Sequence, residues 1–365
     1  MCFREKALLL SYDLTNRYTL TAPVNVTWEI TSRCNLRCRH CLSADLMDAC
    51  HRELDFEESR RFIDSLDRME VFQVNFGGGE PFLREDFLDI LDYAHEKQIT
   101  TCVSTNGTMV DEALASRLAG MDYMYIQVSL DGAAADANDA IRGKGTFERV
   151  ISGIEALNRH GFPNLSINTV VMRSNFREIL RIYELGRTYG AKTRLSRFRP
   201  SGNARRVWEE YRLDRSQLEE LSQFLSAHKD VLTGDSFFSI TARDRRELGL
   251  NMCGAAKMTC SVAPDGTVYP CAFLQDPRFR AGNILDESLE SIWQSAAPFE
   301  ALRSVKIASC EECGRFSLCH GGCPAVAYFL TQSLDRPDPE CLAPSPGGSL
   351  ARDSLGGATD HVRTV

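Results

Sequence analysis

Apolar residues recur along the chain in two alternating rhythms. Short runs rich in β-branched and aromatic residues lie at Asn25–Ile30, Val71–Phe76, Ile99–Ser104, Tyr123–Leu130, Leu165–Val171 and Thr193–Phe198, and each predicts a strand. Amphipathic stretches at Phe56–Arg68, Glu85–Lys97, Asp111–Ala119, Thr146–His160, Asn175–Tyr189 and Asp214–His228 predict helices. In the fourth of these, Phe147, Val150, Ile151, Ile154 and Leu157 recur at the spacing of one helical face. Asp111 and Asp214 stand where N-caps accept from a first turn.

Strand–helix units in series imply a parallel sheet with right-handed crossovers, either open or curled into a barrel. In a barrel, function gathers at the carboxyl ends of the strands. The segments that directly follow the strands are Thr31–Cys41, Gly77–Pro81, Thr105–Gly107, Asp131–Gly132 and Arg199–Gly202, and they hold the Gly, Pro and polar residues. The expected fold is α/β over 24–240, behind an N-terminal segment, 1–23. No internal repeat appears beyond this rhythm. Residues 241–342 read as a separate cysteine-rich domain, with a hairpin signal at Val262-Ala-Pro-Asp-Gly-Thr-Val-Tyr269. The tail, 343–365, has the Gly/Ser/Pro/Ala composition of a disordered segment.

Composition narrows the class. The 365 residues hold 42 Lys+Arg against 50 Asp+Glu, a net charge of −8. An acidic chain lacks the electrostatic footprint of a nucleic-acid binder and is not drawn to an anionic membrane. The longest aliphatic run near the N-terminus, Ala7–Leu10, is too short for a signal-peptide core or a membrane span. A cytoplasmic location with reduced thiols is expected, so the 14 cysteines need a role other than disulfides.

Their distribution supplies one. Cys34, Cys38 and Cys41 form an early triplet, with Cys2 and Cys50 to either side. Cys102 stands alone inside a predicted strand, as a core residue would. Eight more follow: Cys253, Cys260, Cys271, Cys310, Cys313, Cys319, Cys323 and Cys341. The triplet spacing, C-x3-C-x2-C, offers three thiolates from one tight loop, enough for three corners of a cubic iron–sulfur cluster. With no fourth cysteine close by, one iron is left open to substrate, by the logic that separates catalytic from structural metal sites. A zinc site is the alternative; its fourth ligand would be His40, poorly placed directly beside Cys41. The late cysteines could likewise form zinc knuckles, and a zinc-bound structural module is the reading from another class. No H-E-x-x-H, Walker loop, post-strand G-x-G-x-x-G or G-x-S-x-G elbow is present.

The triplet resembles the signature of the radical S-adenosylmethionine (SAM) superfamily. That resemblance implies a partial (β/α)6 TIM-type barrel and a 4Fe–4S cluster whose open iron chelates SAM, with reductive cleavage of SAM to a 5′-deoxyadenosyl radical. The family usually has an aromatic residue just before the third cysteine; His40 replaces it here. Gly78-Gly79-Glu80-Pro81 resembles the family's SAM-amino motif, with Glu80 accepting from the ammonium. By the same resemblance Ser104, Asn106 and Ser129 meet ribose or methionine groups, although such residues also cap turns. Arg142 resembles the arginine that pairs with the SAM carboxylate; a solvated surface charge is its plainer alternative.

The late eight resemble the SPASM extension of radical SAM peptide-modifying enzymes. Position by position, the resemblance implies two auxiliary 4Fe–4S clusters, one on Cys253, Cys260, Cys271 and Cys323, the other on Cys310, Cys313, Cys319 and Cys341. Two complete sets of four favour electron transfer over substrate ligation. A SPASM region also implies a ribosomally made peptide substrate and an electron donor such as flavodoxin or ferredoxin. About two dozen residues precede the first strand, too few for a recognition domain, so a separate peptide-binding chaperone is expected.

Within that superfamily the chain is similar to the mycofactocin maturases. The likeness lies in Thr27-Trp-Glu-Ile30, Val74–Pro81, Ile126–Gly132, Asn138–Gly143, Arg199–Gly202, Leu232–Phe238, Leu250–Gly254 and Pro337–Cys341. It implies oxidative decarboxylation of the Tyr in a C-terminal Val-Tyr, then carbon–carbon bond formation to the Val. Asp235 is a candidate proton handler, with a loop acid or N-cap as the plainer alternative. Thioether-forming and sulfatase-maturing SPASM enzymes are the alternatives within the superfamily.

Overall fold

The computed structural model describes residues 20–45, 52–233, 253–314 and 316–342. Cys2, Cys50, Asp235 and the tail at 343–365 lie outside them, as do most of the Leu232–Phe238 and Leu250–Gly254 matches.

The first strand, β1 (Asn25–Thr31), leads to helix α1 (Phe56–Arg68). Then follow β2 (Gln73–Gly78), α2 (Phe87–Glu96), β3 (Thr100–Thr105), α3 (Glu112–Ala119) and β4 (Met124–Ser129). Two helices, α4 (Ala135–Arg142) and α5 (Thr146–Arg159), precede β5 (Leu165–Val171). The series continues with α6 (Ile179–Thr188), β6 (Lys192–Arg197), α7 (Arg215–Ala227) and the short β7 (Leu232–Thr233). Strands β1 to β7 pair in parallel in sequence order, the expected partial barrel.

The local causes are the expected ones. A capping box starts α1, with the Glu58 N–H donating to Asp55 Oδ1 at 2.8 Å and the Asp55 N–H to Glu58 Oε2 at 2.9 Å. Asp111 and Asp214 cap α3 and α7. Val26, Trp28 and Ile30 of β1 are buried, and the Trp28 ring meets Phe62 of α1 edge-on at 4.9 Å. Each such side chain contributes roughly 1.5–3 kcal/mol on burial. The alternate positions are polar: Asn75 Nδ2 donates to Asn25 Oδ1 at 3.1 Å, Gln127 Nε2 to Ser104 Oγ at 3.2 Å, and Ser196 Oγ to Asn168 Oδ1 at 2.7 Å. The face turned from the helices is therefore hydrogen-bonding along several strands.

The cysteine-rich region adds the hairpin β8 (Thr259–Val262) and β9 (Thr267–Tyr269), then β10 (Gly282–Asn283) and helices α8 (Leu289–Ser295), α9 (Ala297–Ser304) and α10 (Pro324–Thr331). The hairpin turns at Pro264-Asp-Gly266, as its sequence predicts. Unforeseen is its place: β8 runs parallel against the free edge of β1, with Asn25 opposite Thr259 and Trp28 opposite Val262. Both regions thus share one ten-stranded sheet, ordered β10-β9-β8-β1-β2-β3-β4-β5-β6-β7.

Candidate active site

The triplet loop leaves the carboxyl end of β1 and is held on three sides. Thr31 Oγ1 donates to Glu53 Oε1 at 2.6 Å, and the Ser32 N–H donates to the same oxygen at 3.0 Å. The Gly79 N–H donates to Thr31 O and the Glu80 N–H to Arg33 O, each at 2.8 Å. On the far side, the Asn203 N–H donates to Cys41 O at 2.9 Å and Asn203 Nδ2 to Cys38 O at 3.2 Å.

Two glycines make the second contact possible. A Cβ on Gly79 would stand 2.0 Å from Arg33 O, and one on Gly78, at φ +101°, would stand 2.5 Å from Thr31 O. The close approach that these glycines permit is to the cysteine loop itself. Gly77 differs: a Cβ there would meet only Ser104 Cβ, at 4.0 Å, so there is room at the end of β2.

All three thiols are partly buried. Cys41 is pushed up to about 12 by burial and then by the charges of Cys38 and Cys34. Burial also raises Cys34 and Cys38. N–H groups point at the sulfurs: Leu36 N–H to Cys34 Sγ at 3.4 Å, Asn106 Nδ2 to Cys34 Sγ at 3.9 Å, and Arg142 Nη1 to Cys38 Sγ at 4.0 Å. Three thiols within mutual electrostatic reach, ringed by N–H donors and next to open space, fit an iron–sulfur cluster bound through the triplet.

Glu80 is fully buried. Its carboxylate accepts from Thr105 Oγ1 at 2.8 Å, the Asn106 N–H at 2.7 Å and the Phe82 N–H at 3.3 Å, which ties the ends of β2 and β3 together. Burial pushes its carboxyl up to about 7. Asn106 also donates through Nδ2 to Asn35 Oδ1 at 2.8 Å. Ser104 and Ser129 are half-buried on β3 and β4; Ser104 Oγ accepts from Gln127.

Arg142 is buried, not a solvated surface charge. Its Nε lies 2.7 Å from Asp131 Oδ2, and His40 Nε2 lies 3.3 Å from the same oxygen. Burial lowers His40 to about 4, which leaves it neutral near pH 7. Asp131 Oδ1 accepts from the Val170 N–H at 2.9 Å and so anchors the pair to β5. Along the sequence Asp131 stands only as part of a turn motif; its role emerges once α4 brings Arg142 back over the triplet. Glu29 likewise lies within a motif that gives it no role of its own. It is buried on β1, accepts from Ser43 Oγ at 3.1 Å, and is pushed up to about 7 by burial.

The late cysteines fall into two groups. Burial raises Cys319, as do the charges of Cys341, Cys310 and Cys313. Cys253 is pushed up to about 12 by burial and then by Cys323 and Cys271. Cys271, pushed up to about 11 by burial, also feels Cys323. Cys260 is fully buried on β8, and the charge that acts on it is that of Arg303. Cys102 is half-buried on β3 and pushed up to about 11 by burial.

Comparison with known proteins agrees with this arrangement. Residues 28–186 match the radical SAM superfamily, and residues 253–319 match SPASM, an iron–sulfur cluster-binding domain. The chain is 42% identical over 328 residues to the mycofactocin maturase of Mycolicibacterium smegmatis, covering 88% of this chain and 83% of that protein. It is 30% identical to the AdoMet-dependent heme synthase of Methanosarcina barkeri, covering 88% and 97%. Streptococcus suis SuiB bound to S-adenosylmethionine shares the fold, with a TM-score of 0.71 at 20% identity over 89% of this chain and 78% of that one. The chain is a radical SAM enzyme with a SPASM iron–sulfur domain, and it belongs to the mycofactocin maturase family.

Proposed function

We propose that this enzyme oxidatively decarboxylates the Tyr of a C-terminal Val-Tyr in the mycofactocin precursor peptide and then joins that residue to the Val by a carbon–carbon bond. The observation that carries this reading is the 42% identity to a mycofactocin maturase across 88% of the chain, with triplet, Glu80 and Arg142 gathered at one end of the sheet.

Cys34, Cys38 and Cys41 would hold the SAM-binding cluster, which with SAM supplies a carbon radical able to take hydrogen from a C–H bond that no side-chain base can deprotonate. Around it the chain's own residues orient and exclude water. Arg142, braced by Asp131, presents a guanidinium suited to the carboxylate of SAM. The Gly78-Gly79 backbone and Asn106 shape the methionine side, with Ser104 and Ser129 beside them. Glu80 fixes the spacing of two strand ends. The eight late cysteines are the proposed holders of the auxiliary clusters.

A peptide is the partner that the relatives' name supports. A separate peptide-binding chaperone and a flavodoxin- or ferredoxin-type donor complete the proposal, in the cytoplasm. No described helix is long and apolar enough to cross a membrane.

The test is anaerobic reconstitution with SAM, a reductant, the chaperone and a precursor ending in Val-Tyr. Loss of carbon dioxide from the peptide by mass is expected. An unchanged peptide mass with intact clusters would favour a thioether-forming or sulfatase-maturing reaction; a colourless zinc protein would exclude all three.

A further inference from the structure

We propose that Arg194, on the inner face of β6, takes the C-terminal carboxylate of the precursor peptide and so selects a free carboxyl terminus for the first of the two reactions. This rests on the peptide reading above and adds to it the residue that recognises the end of the peptide.

The neighbours of Arg194 fix its direction. Thr193 and Leu195 turn to the outer helices. A Cβ on Gly186 of α6 would stand 2.8 Å from Thr193 Oγ1. Leu195 packs in one cluster with Ile179 of α6 and with Leu218 and Leu221 of α7. Successive strand residues take opposite faces, so Arg194 turns inward. The register agrees. Arg194 stands opposite Asn168 on β5, and Asn168 stands opposite Ser129 on β4. Asn168 Oδ1 accepts from Ser196, the next inward residue of β6, at 2.7 Å. Arg194 thus shares a row with Ser129, which stands beside the SAM site.

The space on that face is polar and reached by solvent. Cys102, Ser104, Gln127, Ser129, Arg194 and Ser196 are each only partly buried, whereas the outward residues between them are buried. The charge of Arg194 acts on Cys102, which lies three strands away on β3, as that of a long side chain crossing the enclosed space would. Glu29 is the one acid among the strand residues, and it is turned to Ser43 and to Cys41 of the triplet. Among the described residues, no carboxylate is paired with Arg194. Lys192, the other inward cation of β6, is exposed at the first residue of the strand.

A half-buried guanidinium without a counter-ion suits an arriving anion, and its planar fork matches a carboxylate. The proposed reaction brings two carboxylates to this end of the sheet. That of SAM falls to Arg142, already braced by Asp131 at 2.7 Å. The C-terminal carboxylate of the peptide is the other. It leaves as carbon dioxide in the first reaction, so Arg194 serves that reaction and not the second.

The experiment uses the full chain with its clusters, the chaperone, SAM and a reductant. Arg194→Gln is expected to raise the KM for decarboxylation of the precursor at least about tenfold, with SAM affinity by equilibrium dialysis unchanged. Given decarboxylated peptide made by the unaltered enzyme, the same variant is expected to form the carbon–carbon bond with unaltered kcat and KM. Arg194→Lys, which keeps the charge, is expected to recover part of the first reaction. An unaltered KM for decarboxylation in Arg194→Gln would overturn the assignment, as would weakened SAM binding or equal damage to both reactions in a folded, iron-replete protein. Should the glutamine variant lose its fold, the unaltered enzyme supplies the test: a precursor ending in a carboxamide is expected to bind at least about tenfold more weakly than one ending in a carboxylate, and equal binding would overturn the assignment. Failure of the unaltered enzyme to decarboxylate a Val-Tyr precursor would overturn the functional reading itself.

Discussion

Arg197, the last residue of β6, closes a two-pronged ion pair on Asp338, far along the chain, with Nη2 2.7 Å from Oδ1 and Nη1 bonded to Oδ2. Its Nε donates to Glu340 Oε2 at 2.8 Å. All three side chains are buried. Asp338 Oδ2 also accepts from the Cys323 N–H at 2.9 Å, and Asp338 O accepts from the Cys341 N–H at 3.0 Å. One arginine thus fastens the barrel to a cysteine of each auxiliary group.

Arg197→Met should therefore cost more than a surface charge would. Two carboxylates are left buried without their cation, a loss of about 3–5 kcal/mol. A lower melting temperature and reduced auxiliary iron are expected, by calorimetry and iron analysis. Wild-type values for both would show that Asp338 and Glu340 do not depend on Arg197.

Gly79→Ala tests the docking of the triplet loop. The new Cβ would stand 2.0 Å from Arg33 O, which forces the two loops apart. Iron per chain should fall from about twelve to about eight, with the auxiliary signals kept. Gly120→Ala, whose nearest neighbour is Arg117 O at 3.5 Å, serves as control and should keep all the iron.

Glu29 should give stability a pH dependence. Its carboxyl rises from 4.5 to about 7 through burial. The folded chain then binds this proton more tightly than the unfolded chain, so the contribution is whole below about 4.5 and lost as pH rises through about 7. The full swing is roughly 3 kcal/mol. Melting scans from pH 5 to pH 8 should fall less steeply for Glu29→Gln than for the unaltered chain. Glu80, raised to about 7 by burial, keeps part of the slope in that variant. Parallel scans for the two proteins would refute the attribution.

Arg142→Lys keeps the charge but loses the planar fork. SAM affinity should weaken by about tenfold, roughly 1.4 kcal/mol, with the iron content unchanged. Asp131→Asn should weaken SAM binding in the same direction, because it frees the guanidinium from its brace at 2.7 Å. Equilibrium dialysis with labelled SAM reads both, and unaltered binding in either variant would detach Arg142 from this role.

Much of the fold is legible in the order of residues alone. Helix α1 matches its predicted bounds, because its capping box and apolar stripe are both local signals. Strand β5 does so as well, as a run rich in β-branched residues, of which Ile167, Thr169 and Val171 are buried. Strand β2 begins at Gln73 instead of Val71, since the Val71 N–H closes the turn after α1 by donating to Leu66 O at 3.0 Å. The triplet is legible because its ligands share one loop. Asp131, Glu29 and the Arg197 junction are not, since each depends on a partner that only the folded chain supplies.

The pairing of β8 with β1 makes the two regions mechanically inseparable. Excising the cysteine-rich region would strip β1 of its neighbour along Asn25 to Trp28 and expose unpaired amides there, an invitation to intermolecular strand association. The same fusion denies the protein a hinge at that seam. Electron carriers seated on either side would keep a constant separation throughout turnover, so tunnelling rates would be set by architecture instead of by domain motion.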